Sequence, residues 1–196
     1  MRLPSLPPSA PPFGNAATRA LGRAVLRVTG FRVEGAVPDL THCVAIAAPH
    51  TSNFDLPLAL AAMFALGVRV NWLGKHTIFW RPLGTLLRWL GGVPVDRSAA
   101  TNTVDQAVAA LRAAPRMFLG VAPEGTRSRV ARWKTGFHRI AVTAGVPIVP
   151  VCLDYSRRVV RIFPTMTPPA DLQADIAALQ QLYAAGMGRH PGRYGQ

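Results

Sequence analysis

The sequence predicts an α/β fold: a single domain with a mixed, largely parallel central sheet flanked by helices. Short hydrophobic runs alternate with longer apolar or amphipathic segments along most of the chain, and no internal repeat or linker separates them. This alternation is typical of sheets whose parallel strands are connected through helices. The chain has 196 residues, 49% of them hydrophobic and 16% charged, which is enough to bury the core of one domain.

The N-terminal region combines a proline-rich segment with a short amphipathic helix. Residues 1–16 predict a flexible N-terminus, so that the folded domain occupies residues 17–196. Over residues 18–28, apolar residues fall on one side of a helix and arginines recur at every fourth position on another. Such a helix suits the surface of an anionic bilayer, and it equally fits a helix packed on the domain with its charged face in solvent. The arginines are Arg19, Arg23 and Arg27.

The remaining elements follow from hydrophobic runs, helical spacing and terminating residues. Pro57 is allowed in the first turn of a helix, and Gly67 is placed to end the same helix. Strands are predicted over residues 43–47, 68–73, 92–95, 117–122, 147–153 and 159–163. Helices are predicted over residues 55–66, 78–90 (interrupted by Pro82 and Gly84), 102–113, 137–144 and 172–185.

The net charge of +13 requires anionic partners, and arginine supplies most of it. Of the 22 basic residues, only Lys75 and Lys134 are lysines. A charge of this size is typical of proteins that meet nucleic acid, a membrane surface or anionic substrates. Arginine favours bidentate contacts with phosphate. Composition alone does not choose among these partners.

Cysteine usage and hydropathy bear on the compartment. Cys43 and Cys152 are too few for a disulfide scaffold and are interpreted as buried free thiols, which favours a reducing cytoplasm. A spanning helix needs ~20 predominantly apolar residues, and charges or prolines interrupt the longest apolar segments. The proline-rich start does not resemble a signal peptide. We therefore expect a soluble or monotopic protein, peripheral to the cytoplasmic face of a membrane if it binds one.

The first candidate site is the stretch PHTSNFD at residues 49–55, between a buried strand and a helix. Open α/β sheets bind ligands at this type of turn. In such a loop the carboxylate of Asp55 can turn back onto the His50 imidazole and fix its tautomer, while the other ring nitrogen takes a proton from a hydroxyl. The alternative is that a polar residue caps the helix and His50 is an ordinary loop histidine.

The second candidate site is the stretch APEGTRSR at residues 122–129, which follows a hydrophobic strand. Gly125 allows a close approach of the backbone to a ligand, Thr126 offers a hydroxyl, and the planar guanidinium of Arg127 suits a phosphate. Glu124 can orient Arg127 or accept a hydrogen bond from a hydroxyl. A polar surface turn is the alternative, but the basic residues that follow favour an anion site.

Two further segments carry weaker signals. Lys75 follows a predicted strand, where it can contact a phosphate, and Arg81 lies among aromatic and basic residues that suit an interface. The same aromatic residues also fit a helix packed into the core. The run GVPIVPV at residues 145–151 predicts a buried strand flanked by prolines, and most such runs are core. No histidine and cysteine cluster predicts a metal site.

In combination these segments resemble a known family. The motifs appear in a fixed order: HTSNFD at 50–55, a Gly-Lys segment that begins at 74 and ends at 97, EGTRS at 124–128 with WKTGF at 133–137, and VPIVP at 146–150. Over about residues 40–155 the chain resembles the glycerolipid acyltransferase family, the HxxxxD-type lysophosphatidate/glycerol-phosphate acyltransferase superfamily.

This resemblance implies transfer of a fatty acyl group to a hydroxyl of a lysophosphatidate-type acceptor in phospholipid biosynthesis. The donor would be an acyl-CoA or acyl-carrier-protein thioester, which acts as co-substrate, with no metal and no other cofactor. His50 would be the general base and Asp55 would orient it. The EGTR block would bind the acceptor's phosphate and glycerol, the second block would line acceptor or oxyanion contacts, and the proline block would line the donor site. These binding residues are Glu124, Gly125, Thr126, Arg127, Lys75, Arg81 and Pro147.

Several alternatives stay open at this point. The acceptor can be glycerol 3-phosphate or another lyso-lipid, and the same His50 could serve a thioester hydrolase. A non-catalytic basic module that binds membrane or nucleic acid is an alternative of another class, although no nucleic-acid motif is present and no nucleic-acid partner is expected. Ser52 lies outside a G-x-S-x-G elbow. We therefore expect direct transfer without an acyl-enzyme.

Overall fold

The structure, a computed structural model that describes residues 3–96, 100–167 and 171–194, is built on one seven-stranded sheet. The strands are β1 (Arg32–Glu34), β2 (His42–Ala47), β3 (Val70–Lys75), β4 (Gly92–Val95), β5 (Met117–Val121), β6 (Ile148–Asp154) and β7 (Val159–Ile162). Their order across the sheet is β1-β7-β6-β2-β5-β3-β4. All neighbouring pairs are parallel except β6 and β7, which confirms the predicted mixed, largely parallel sheet.

Helices connect the strands and cover both faces of the sheet. They are α1 (Ala16–Thr29), α2 (Asp55–Leu66), α3 (Leu83–Trp89), α4 (Ala100–Ala113), α5 (Gly136–Ala144) and α6 (Leu172–Gln180). The first two pack on one face, and α4, α5 and α6 contribute to the core on the other. Consecutive residues of each strand point to opposite faces. Accordingly, Cys43 and Phe118 pack with α2, while Val44 and Leu119 pack with α4 and α5.

The N-terminal helix packs closely on α2. A Cβ at Gly22 would lie 2.5 Å from the carbonyl oxygen of Ala61, so the two helices meet at their backbones. Leu26 is fully buried in the same contact. The arginines of α1 remain exposed. The predicted helix is therefore present with its arginines in solvent, and Gly22 and Leu26 form its packed side. Two of its apolar side chains, Leu21 and Val28, remain exposed.

The proline-rich segment before α1 also packs on the domain, and the flexibility expected for residues 1–16 stays a prediction. Pro12 forms an antiparallel bridge with Val68, and the Phe13 N–H donates to the Gly67 carbonyl at 2.8 Å. The Phe13 ring stacks on Phe64 with centroids 4.8 Å apart. Prolines restrict the unfolded chain, so this segment loses less conformational entropy when it docks.

The predicted elements differ from the observed ones mainly at their ends. The helix over 55–66 and the strand over 92–95 have the predicted bounds, whereas the strand predicted over 68–73 is displaced to Val70–Lys75. The three-residue edge strand β1 was not predicted. The terminal helix expected over 172–185 ends at Gln180, because Tyr183 leaves the helix to bury its ring against Trp133 and Phe163.

Candidate active site

The two candidate motifs meet at the carboxyl edge of the sheet, on neighbouring strands. The stretch PHTSNFD follows β2 and leads into α2, and the stretch EGTR follows β5. The helices after these strands, α2 and α5, lie on opposite faces of the sheet. A crevice opens at such a switch point, which is where open α/β sheets bind ligands.

His50 and Asp55 form a hydrogen-bonded pair in this crevice. His50 Nδ1 lies 2.9 Å from Asp55 Oδ2. The aspartate side chain is 4% exposed, whereas the histidine side chain is 23% exposed. Among the described residues, no hydrogen-bond partner occupies the opposite ring nitrogen, Nε2. The imidazole is therefore held at one nitrogen and open at the other, as the catalytic interpretation of this motif requires.

Further donors hold the Asp55 carboxylate in place. Its Oδ2 accepts the Thr51 N–H at 3.1 Å and the Ser52 N–H at 3.0 Å, and its Oδ1 accepts the Tyr155 hydroxyl at 2.8 Å. Burial raises the pKa of Asp55, but the hydrogen bonds from His50, Tyr155 and the Ser52 amide outweigh it and hold the pKa below its ordinary value of 3.8. Asp55 is therefore ionised at neutral pH and can stabilise an imidazolium.

The local sequence explains how the loop closes on itself. Asp55 is the first residue of α2, where a carboxylate is favoured by the helix dipole. No side chain caps this helix, because the residue before Asp55 is Phe54. The carboxylate of Asp55 instead accepts the backbone N–H groups of Thr51 and Ser52. The Ser52 hydroxyl accepts the Phe54 N–H at 3.1 Å. The alternative of a merely capped helix is thus not what the structure shows.

Glu124 ties the two loops together. It is 2% exposed, and its Oε1 and Oε2 accept the His50 N–H at 3.1 and 2.9 Å. Burial raises the pKa of Glu124 above its ordinary value of 4.5, against the opposing effect of the His50 amide. No ion pair joins Glu124 to Arg127 among the described residues, so this carboxylate positions the histidine's backbone.

The rest of the EGTR stretch forms an exposed cationic turn. Gly125 has φ +66°, a left-handed conformation that favours glycine. A Cβ at this position would lie 2.9 Å from Lys134 Nζ, so the lysine side chain lies over the glycine. Thr126 and Arg127 are exposed in the same turn, and no carboxylate of the described residues lies within 4 Å of the Arg127 guanidinium. The turn thus presents cations beside His50.

The structure brings Lys75 to the same edge and leaves Pro147 at the opposite one. Lys75 is exposed at the carboxyl end of β3, next to β5. Arg81 is exposed in the turn before α3. Pro147 precedes β6, and its carbonyl accepts the Val44 N–H at 2.9 Å near the start of β2. The half-buried Pro147 lies at the amino end of β6, whereas His50 follows the carboxyl end of β2, which is parallel to β6. Pro147 is therefore outside the crevice.

A family comparison decides how this site is classified. A sequence model described as Acyltransferase matches residues 30–154, which include both loops of the crevice. The chain belongs to the acyltransferase family. This confirms the resemblance drawn from the motifs.

Relatives of this chain share its sequence over part of their length. A 1-acyl-sn-glycerol-3-phosphate acyltransferase of Salmonella typhimurium is 32% identical over 139 residues, 64% of this chain and 56% of the relative. The Escherichia coli protein of the same name is 31% identical over 140 residues, with the same coverage. A Limnanthes douglasii protein of that name is 30% identical over 149 residues, 72% of this chain and 52% of the relative. The chain thus spans a little over half the length of the bacterial relatives it matches.

A solved structure shares the fold of this chain. The 1-acyl-sn-glycerophosphate (LPA) acyltransferase PlsC from Thermotoga maritima superimposes with a TM-score of 0.61. The match covers 85% of this chain and 78% of that chain, at 20% sequence identity. It supports the α/β architecture with its mostly parallel sheet.

Two parts of this candidate site were not predicted from sequence. Tyr155 directly follows β6, which neighbours β2, and this places its hydroxyl on Asp55. Residues 185–194 cross the same edge, where the His190 N–H donates to Thr51 Oγ1 at 3.2 Å. Neither contact follows a local pattern, because each depends on which strands are neighbours. The order of the motifs along the chain contains no signal for them.

The remaining features of the described residues concern thiols, metals and membrane spans. Cys43 and Cys152 are both free and buried, as predicted, and burial raises the pKa of Cys152 to about 12. Among the described residues, no three His, Cys, Asp or Glu side chains cluster in a way that could hold a metal ion. No helix in the same residues is long and apolar enough to cross a bilayer.

Proposed function

We propose that this protein transfers a fatty acyl group from a thioester to the free hydroxyl of a 1-acylglycerol 3-phosphate, with His50 as general base. The observation that carries the proposal is the His50–Asp55 pair, open at Nε2 and set beside a cationic loop. The names of the relatives support the acceptor class. The donor is an acyl-CoA or an acyl carrier protein.

The proposed reaction needs one group that takes a proton from the acceptor hydroxyl and returns it to the leaving thiolate. The acceptor oxygen attacks the thioester carbonyl carbon while His50 Nε2 takes the hydroxyl proton, a contribution typically worth ~10²–10⁴-fold. The C–S bond then breaks, and the thiolate leaves with the proton returned by the imidazolium. Asp55 stays ionised throughout and stabilises the imidazolium. Glu124 keeps the histidine loop in register with the loop after β5 through the His50 N–H.

The acceptor phosphate binds on the β5 and β3 side of His50 in this proposal. Arg127 follows β5, Lys75 is the last residue of the neighbouring strand β3, and Lys134 lies over Gly125. Arginine supplies paired donors for phosphate oxygens, and lysine supplies a point charge. Arg81 lies in the segment after Lys75, where it adds positive charge near the bilayer.

The acceptor is a lipid, and the surface around the site suits a bilayer. Ten large hydrophobic side chains are exposed in the described residues, and seven of them lie between positions 54 and 89. Arg81 and Arg88 are exposed in the same region. Aromatic and aliphatic side chains mixed with arginines are typical of contact with anionic headgroups. The seven are Phe54, Leu56, Ile78, Trp80, Leu83, Leu86 and Trp89.

Acyl transfer is tested with purified protein, an acyl thioester and 1-acylglycerol 3-phosphate. We expect acceptor-dependent release of free thiol and a diacylglycerol phosphate detected by mass spectrometry. Arg127→Ala should raise the KM for this acceptor about tenfold, whereas Arg129→Ala, in the same exposed turn, should leave it unchanged. Free fatty acid formed at the same rate without acceptor would show a hydrolase instead. A panel of glycerol 3-phosphate and other lyso-lipids identifies the preferred acceptor.

Membrane contact is tested by sedimentation with phosphatidylglycerol vesicles and with phosphatidylcholine vesicles. We expect binding to the anionic vesicles that decreases with salt. Leu86→Ser should weaken it. Val142→Ser, which removes an equally exposed side chain from α5 on the other face, should not. Equal effects of the two substitutions would argue against this surface.

A further inference from the structure

The last described residues form a segment that packs on the catalytic loop. We call residues 185–194 the C-terminal strap. The His190 N–H donates to Thr51 Oγ1 at 3.2 Å, and the Met187 carbonyl accepts the Tyr155 N–H at 2.8 Å. Thr51 is fully buried beneath these contacts. The strap is therefore fixed one residue from the catalytic histidine.

Two arginines of the strap are exposed, and contacts with the catalytic loop, not with an acidic residue, position their guanidinium groups. The Arg189 guanidinium carbon lies 3.8 Å from the centroid of the Phe54 ring, and Arg193 Nη1 lies 3.5 Å from the Thr51 carbonyl oxygen. A guanidinium beside an aromatic ring keeps N–H donors available for an anion. In the described part of the chain, no carboxylate lies within 4 Å of either guanidinium.

The sheet order places these arginines on the other side of His50 from the EGTR turn. β2, which carries the His50 loop, lies between β6 and β5. Arg127 follows β5, and the strap contacts Tyr155 at the end of β6. A reaction that joins two phosphate-bearing substrates must bring both to one histidine. Separate cationic sites on its two sides keep the like charges of these substrates apart.

We propose that the C-terminal strap binds the phosphate of the acyl donor's phosphopantetheine arm through Arg189 and Arg193. This inference rests on the proposed acyl transfer and deepens it, because it gives the donor a site of its own. The phosphopantetheine thioester is common to acyl-CoA and acyl carrier proteins, so one site serves either source. The acceptor phosphate remains with Arg127 on the β5 side.

The test compares two donors that differ only in this phosphate: acyl-4′-phosphopantetheine and acyl-pantetheine. We expect the wild-type protein to prefer the phosphorylated donor in kcat/KM by about tenfold or more. The double variant Arg189→Ala/Arg193→Ala should lose this preference and keep its rate with acyl-pantetheine. Arg112→Ala/Arg116→Ala, near the opposite edge of the sheet, removes the same charge and should keep the preference. Acyl-CoA and acyl carrier protein, compared in the same variants, identify the source.

Equal losses with both donors in the strap variant would overturn the proposal, because the arginines would then only support the loop. An unchanged preference would overturn it as well. Binding of free 4′-phosphopantetheine, measured by calorimetry, provides a readout that does not require turnover. Weaker binding in the strap variant, with no acyl transfer by the wild-type protein, would support the phosphate site and reject the proposed function. Equal binding by both proteins would overturn the site.

Discussion

Two histidine–aspartate pairs in the described residues have similar geometry and different surroundings. His50 Nδ1 lies 2.9 Å from Asp55 Oδ2, and His138 Nε2 lies 2.7 Å from Asp175 Oδ2. The His50 side chain is 23% exposed in the crevice between two loops. The His138 side chain is 7% exposed, enclosed where α5 meets α6.

The two carboxylates differ as well. Asp55 accepts hydrogen bonds from Thr51, Ser52 and Tyr155 in addition to its histidine. Asp175 accepts one from His138, and the described residues offer its side chain no second donor. A short histidine–aspartate contact therefore does not distinguish a catalytic pair from a structural one. The distinction comes from an accessible second nitrogen and from a carboxylate held independently of its histidine.

The largest expected effect on activity follows from removing the open imidazole. His50→Ala should lower the acyl-transfer rate by about 10²–10⁴-fold, because the general base is lost. The free energy of unfolding should change by less than about 1 kcal/mol, because the histidine is partly exposed. Thiol release measures the acyl-transfer rate, and urea unfolding measures the free energy of unfolding. His76→Ala, which removes an exposed histidine, is the control, and wild-type activity in His50→Ala would reject the catalytic assignment.

The enclosed pair should respond in the opposite way. His138→Leu leaves Asp175 buried without its partner and should lower the free energy of unfolding by about 3–5 kcal/mol. The rate per folded molecule should not change. Adding Asp175→Leu should recover most of the loss, since two apolar side chains can replace a buried pair. Urea unfolding of the single and double variants checks this, and a double variant no more stable than the single one would contradict it.

Asp55→Asn should reduce the rate by about 10²–10⁴-fold, because the imidazolium loses its counter-charge and the histidine its tautomer. It should also lower the free energy of unfolding at neutral pH by about 1–3 kcal/mol. The folded pKa of Asp55 lies below 3.8. Its stabilisation is therefore fully present above pH 3.8 and is lost as the pH falls through the lower folded value. The difference between the wild-type protein and Asp55→Asn should shrink in acid, which denaturant unfolding from pH 7 to pH 3 measures.

Glu124→Gln is the matched variant for this pH dependence. The folded pKa of Glu124 is raised above 4.5 by burial. The contribution of Glu124 to the free energy of unfolding of the wild-type protein therefore falls as the pH rises from 4.5 through the folded pKa. The difference between wild type and Glu124→Gln should change with pH in the opposite sense to that of Asp55→Asn. The same trend in both variants would contradict the assigned environments.

The smallest effect is expected for Tyr155→Phe. It removes one of the donors to Asp55 and should lower kcat about fivefold with KM unchanged, the effect of one hydrogen bond worth about 1 kcal/mol. The phenylalanine ring keeps the edge contact with Phe31, whose centroid lies 5.3 Å away. Because Tyr155 acts through Asp55, the pH profile of kcat should shift as well. An unchanged kcat and profile would show that the amides alone hold Asp55.

Local sequence patterns were sufficient to predict features that depend on residues close together along the chain. The helix over 55–66 was predicted with its bounds because Pro57 and Gly67 mark its two ends. The pairing of His50 with Asp55 was predicted because a loop of this length can close on itself. The bounds of the terminal helix were wrong, because burial of Tyr183 in the core overrides helical propensity.

The sequence by itself determined the alternation of strands and helices, the family motifs and the His50–Asp55 pair, since each rests on spacing within one segment. Tertiary structure decided the rest of the site. Glu124 lies 74 residues from His50, and Tyr155 lies 100 residues from Asp55. The order β6-β2-β5 makes these residues neighbours. Pro147 precedes β6 and therefore lies at the opposite, amino-terminal ends of these strands. Strand order is set by packing on both faces of the sheet, and no single segment of sequence contains that information.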